Sequence, residues 1–144
     1  MKMTIVAIGK VKKTWIREGI GQYHQRLPDL EIIELKDSNP QKEAAEIRAY
    51  LHKTKTNPSQ MVSLSEEGQL KSSVELAQWL DRYRSASPVF VIGGPDGLDG
   101  SIKTFGGQCF SLSPLTFPHE LARLLLVEQL YRAQTIRQNS RYHR

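Results

Sequence analysis

The sequence predicts an α/β fold: a mostly parallel sheet with helices on both faces. Three observations carry that expectation. Short runs rich in β-branched residues alternate with stretches whose apolar residues recur every three to four positions. One run, residues 89 to 92, is apolar throughout, as expected of a central strand covered on both faces. The length of 144 residues and the 39% hydrophobic content suit one domain, residues 1 to 144, with a core of its own.

Residues 3 to 8 read as the first strand, ended by Gly9. Trp15, Ile16, Ile20, Tyr23 and Leu27 mark an amphipathic helix that Pro28 closes. Residues 30 to 35 form the second strand. Asn39 and Pro40 supply a cap and a first helical residue, and Ala44, Ile47, Arg48 and Leu51 line one stripe. Residues 53 to 59 are a polar loop. A short third strand covers 61 to 64, and 65 to 68 form a loop. Ser72 and Glu75 make a capping box for a helix whose expected buried stripe is Val74, Ala77, Leu80 and Tyr83. Strands at 89 to 92 and 109 to 112 follow, with a brief helix near 102 to 105 between them. The longest helix runs from about 118 to 138. Its apolar residues wrap most of its circumference, so one face enters the core and another asks for a twofold partner. A homodimer is therefore expected.

Composition narrows the function. The formal charge is +5, from 20 Lys and Arg against 15 Asp and Glu. After Phe110 the chain has five arginines and two acids, and arginine forks suit phosphate. The single Cys109 excludes an internal disulfide framework and a cysteine-rich zinc site, and its apolar setting reads as a buried thiol. No metal is expected, since the four histidines are scattered without an i, i+4 pair. The N-terminus does not read as a signal peptide and no run is long enough to span a bilayer, so a cytoplasmic protein without membrane contact is expected.

Two loops carry the chemistry. Ile92-Gly93-Gly94-Pro95-Asp96-Gly97 follows a buried strand, where parallel sheets bind ligands. Its spacing matches neither GxGxxG nor a P-loop, and an ordinary tight turn is the alternative. Ser111-Leu112-Ser113-Pro114-Leu115-Thr116-Phe117-Pro118-His119 also follows a strand, with Leu112, Leu115 and Phe117 as an apolar wall. Alternatively, Thr116 simply caps the next helix. Leu64 and Gly68 belong to a third loop on the same edge. Glu128 is four residues from Arg132 and could pair with it or orient it or the tail. Arg123, among leucines, needs an anionic partner or a solvent-facing position. Tyr142 and His143 lie beyond the helix, where a ring can stack on a base and an imidazole can move a proton; a disordered basic tail is the alternative.

These motifs, together with Glu128-Gln129-Leu130-Tyr131-Arg132-Ala133 and Tyr142-His143-Arg144, closely resemble the RlmH family of SPOUT methyltransferases. The resemblance covers nearly the whole chain. It implies a SPOUT-type α/β knot with a C-terminal trefoil, a homodimer, and S-adenosyl-L-methionine as cofactor. It implies methylation of N3 of a pseudouridine in helix 69 of 23S rRNA, on the assembled 70S ribosome. By motif, Leu64, Gly93, Gly94, Leu112, Ser113, Pro114, Leu115, Thr116 and Phe117 would hold the cofactor. His143, Tyr142, Arg132 and Arg144 would be catalytic, with His143 moving the N3 proton, Tyr142 packing on the base, and the arginines binding phosphate or an oxyanion. Ser140 and Arg141 stand where many members have a proline-containing pair. A non-catalytic ribosome-binding factor and a small-molecule α/β hydrolase are the competing readings; cofactor affinity would separate the first and ribosome dependence the second.

Overall fold

A computed structural model describes residues 2–144. Strand β1 (Met3–Ile8) leads into α1 (Thr14–His24), β2 (Leu30–Leu35), α2 (Pro40–Lys53) and β3 (Met61–Leu70). Then come α3 (Ser73–Tyr83), β4 (Val89–Ile92), the single turn α4 (Gly100–Lys103), β5 (Gln108–Ser111) and α5 (His119–Arg137). The strands lie in the order β2-β1-β4-β3-β5, and every pairing between them is parallel.

Alternation along the strands builds a core on each face. Met3, Ile5 and Ala7 of β1, with Phe90 and Ile92 of β4, meet α1, α3 and α5. Val6, Ile8, Val89 and Val91 meet Ala44, Ile47 and Leu51 of α2 and Ile102 of α4. All six residues of β1 and all four of β4 are buried, which explains why residues 89 to 92 read as an unbroken apolar run.

Asn39 caps α2 as expected, its side chain accepting from the Lys42 amide at 2.9 Å. The Ser72–Glu75 capping box is also present. Three expectations need correction. The stripe of α3 is Leu76, Ala77, Trp79 and Leu80, while Val74 and Tyr83 are exposed. Trp15 is outside the α1 stripe, at 60% exposure. Residues 65 to 68 are not a loop between elements. They belong to β3, which is interrupted against β5 between Leu64 and Gln69 and then pairs again. Gly68 makes that approach possible, because a Cβ there would stand 2.6 Å from the Phe110 carbonyl carbon.

Arg123 has the anionic partner its position demands. Buried on α5, it donates to Glu34 Oε2 at 2.5 Å and to the Gly9 carbonyl at 2.9 Å. Among the described residues no helix is long and apolar enough to cross a membrane.

Candidate active site

Strands β3, β4 and β5 deliver three segments to one edge of the sheet. They enclose an open cleft of about 790 Å³, within the range of cofactor sites. Leu64, Gly93, Gly94, Leu112, Ser113, Leu115, Thr116 and Phe117 all line it. Pro114 does not. Ser111 Oγ donates to the Ser113 carbonyl at 2.8 Å, and Ser113 Oγ accepts from the Leu115 amide at 3.0 Å, so the turn leaves Pro114 exposed outside the lining.

Glycine at 93 is a steric requirement. A Cβ there would lie 2.7 Å from the Gly97 carbonyl carbon and 2.9 Å from the Leu98 amide, across the turn that returns the chain. Gly94 is less constrained, its closest neighbour being the Ile8 side chain at 3.2 Å. Leu115 is 70% exposed at the cleft and forms an apolar wall without a cover. Thr116 is not a cap. Pro118 is the N-cap of α5, and the Thr116 hydroxyl donates to the Glu66 carboxylate, joining two walls of the cleft.

The cleft is acidic. Glu66, Glu67 and Asp96 face it with Lys103 as the one fixed cation, and Lys103 pairs with Glu67 at 3.5 Å. None of these acids stood out in the sequence, because acids in surface loops are ordinary. Such a lining suits a cationic ligand and opposes a polyphosphate. Among the described residues no cluster of His, Cys, Asp or Glu forms a metal site.

The tail folds back onto the middle of α5. Tyr142 donates to Glu128 Oε1 at 3.0 Å. Arg132 grips that same oxygen through Nε at 3.0 Å and Nη2 at 2.7 Å. The guanidinium lies 4.8 Å over the Tyr142 ring, whose edge packs on Tyr131 with centroids 4.9 Å apart. Burial, followed by hydrogen bonds to Tyr23 and Glu128, pushes the Tyr142 phenol well above the usual tyrosine range, so it stays a donor. Arg132 Nη1 is 3.1 Å from His143 Nδ1. Arginine can only donate, so Nδ1 accepts and the ring's proton is assigned to Nε2. Arg144 is exposed at the end. Tyr23, from α1, is the member of this cluster that sequence reasoning missed; it looked like one more core residue.

Tail and cleft do not meet within one chain. Ala122, which lines the cleft, and Glu128, which holds Tyr142, are six residues apart on α5, about 9 Å of helix, and no residue of the tail lines the cleft.

The sequence model described as predicted SPOUT methyltransferase matches residues 1–143. The chain belongs to the SPOUT methyltransferase family. Its relatives within that family are close. It is 52% identical to the ribosomal RNA large subunit methyltransferase H of Synechococcus sp. (strain RCC307), over 99% of this chain and 95% of the relative. Its identity to the protein of that name from Prochlorococcus marinus (strain MIT 9313) is 51%, covering 97% of this chain and 94% of the relative. Two solved structures share the SPOUT fold at low identity. TrmJ from Z. mobilis ZM4 superposes with TM-score 0.54 at 9% identity, covering 94% of this chain and 70% of that one. The SpoU methyltransferase AviRb from Streptomyces viridochromogenes, solved with AdoMet, gives 0.53 at 12%, covering 97% and 59%.

Proposed function

We propose that the chain is a single-domain, cytoplasmic methyltransferase that transfers a methyl group from S-adenosyl-L-methionine to N3 of a pseudouridine in helix 69 of 23S rRNA, on the assembled 70S ribosome. The observation that carries this reading is the acidic, apolar-walled cleft at the C-terminal strand edge. A sulfonium cation with an adenosine group matches it; a nucleotide polyphosphate does not. Family membership and the relatives' rRNA methyltransferase name support the same conclusion. The trefoil knot implied by the family would be made by the segments that wall the cleft.

Leu64, Leu112, Leu115 and Phe117 would enclose the adenosine, with Gly93 allowing backbone contact. The bound cofactor would supply an electrophilic methyl group on its sulfonium, and the N3 proton would pass to solvent water. Everything else falls to the protein: holding the two reactants in line and favouring the N3 anion.

The absence of every tail residue from the lining of its own chain's cleft makes a homodimer part of this reading. In an antiparallel pair, the tail of one subunit reaches the cleft of the other. Tyr142 would pack on the exposed base. As held by Arg132, His143 presents its Nε2–H as a donor. In this packing it would bind a carbonyl oxygen flanking N3 and stabilise the imide anion; accepting the proton would require release from Arg132. Arg144 would bind phosphate.

Mass spectrometry of helix 69 tests the proposal after unmodified 70S ribosomes are incubated with the protein and labelled cofactor. A methylated pseudouridine is expected; its absence overturns the reading.

A further inference from the structure

Four basic residues absorbed by neither the cleft nor the tail gather on the loop between β1 and α1 and on the first turn of α1. Lys10, Lys12, Lys13 and Arg17 are all exposed within eight residues, and among the described residues none is ion-paired. Val11 between them is buried, which anchors the loop while the lysines face outward. Trp15 lies in the same segment, its indole 60% exposed.

Behind the loop is a cavity of about 360 Å³ lined by Lys10, Arg17 and Arg123, with Glu34 the single acid in its wall. Arg123 is 3% exposed, and its Nε has no hydrogen-bond partner. A buried donor of this kind is costly to leave unmade. Three cations against one carboxylate give the cavity a net positive charge.

The loop is also fixed to the rim of the cofactor cleft. Glu120 Oε1 accepts from the Lys12 amide at 2.9 Å and from the Lys13 amide at 3.1 Å. The preceding residue, His119, lines the cleft. Two surfaces of opposite sign therefore meet at the start of α5: an acidic cleft and a basic strip. Binding the loop by backbone amides leaves the lysine ammonium groups free for another partner.

We propose that Lys10, Lys12, Lys13 and Arg17, with the cavity behind them, form a docking site for the phosphate backbone of the RNA that carries the target nucleotide. The site rests on the RNA methyltransferase reading above. Cations beside an exposed aromatic face are what single-stranded RNA uses, phosphates on the charges and a base on the ring. The position at the cleft rim lets the strip hold the strand while one nucleotide enters the cleft.

The test compares the wild-type protein with K12A/K13A and K12R/K13R. Binding to unmodified 70S ribosomes is measured across a salt series, with cofactor affinity by calorimetry and association state by sedimentation. For K12A/K13A, the slope of log affinity on log salt should fall by about one per lysine, with cofactor affinity and association state unchanged. K12R/K13R should restore the slope. An unchanged slope in K12A/K13A, with the wild type bound, overturns the site and leaves the methyltransferase reading intact. Loss of self-association in K12A/K13A also overturns it, because the strip is then a contact between copies. A wild type that binds no ribosome overturns both.

Discussion

Tyr142 and Arg132 share one acceptor, Oε1 of Glu128. One carboxylate on α5 thus fixes both an aromatic ring beyond the helix and the guanidinium that holds His143. The last residues are positioned by a network centred on Glu128, with Tyr23 supplying a second hydroxyl contact at 3.4 Å.

Removing that carboxylate should release the tail. E128A is expected to lose about 1–3 kcal/mol of stability, since it strands the Arg132 fork and the Tyr142 hydroxyl. Methyl transfer should fall far more than cofactor affinity, because Glu128 is not part of the lining of the cleft. Urea unfolding, turnover and calorimetry on the same variant check the three outcomes.

His143 should behave as a donor. H143Q keeps an N–H near the position of Nε2 and is expected to retain much more activity than H143A, which should lose about a hundredfold. The pH profile of H143Q should follow that of the wild type. Equal, near-complete loss in both variants, with loss of the pH dependence, would instead favour proton abstraction by the ring.

Two cleft glycines should respond differently. G93A drives a methyl group into the backbone at Gly97 and Leu98, so it should abolish cofactor binding and lower the melting temperature. In G94A the closest contact is the Ile8 Cγ2 methyl group at 3.2 Å rather than backbone, so the loss in both properties should be smaller than in G93A. Calorimetry and thermal melts separate the pair.

Leu115 offers a change that affects binding without affecting folding. It is largely exposed, so L115A should leave stability within about 0.5 kcal/mol of wild type. Cofactor affinity should fall about tenfold if the side chain covers the adenosine.

Glu120 links stability to pH. Hydrogen bonds from the Lys13 and Lys12 amides hold its carboxyl below the usual range, the Lys13 bond contributing most. A depressed folded-state value means that the stabilisation is complete above the unfolded value, about 4.3, and disappears as pH falls through the folded one. E120Q should therefore be less stable than wild type at pH 7, with the difference closing below about pH 4. Urea midpoints across that range measure it.

Much of this was legible in the sequence. The unbroken apolar run of β4 announced a strand covered on both faces, and the strand-ending positions of Leu64, Gly93 and Ser113 point to one shared edge of the sheet. Arg123 announced its need for an anion by standing among leucines. Other features were hidden for physical reasons. The spacing of Val74 and Tyr83 fits a helical stripe around Ala77 and Leu80 as well as that of Leu76 and Trp79 does, so periodicity alone found the centre of the buried face of α3 and not its edges. The polar run Ser65-Glu66-Glu67-Gly68 resembles a turn, and only the pairing of Leu64 and Gln69 with β5 on either side of it carries the strand through. The acidity of the cleft comes from residues thirty positions apart that become neighbours through folding alone.

The strand order β2-β1-β4-β3-β5 also constrains how the chain is made. During synthesis β1 can find β2 early, but its other neighbour, β4, begins at Val89. At ordinary translation rates that interval lasts on the order of ten seconds. Through it, one edge of β1 has no strand beside it, and the buried apolar face of β3 waits as well. Completion of the sheet is thus a late event in the birth of each molecule, set by the tempo of the ribosome that produces it.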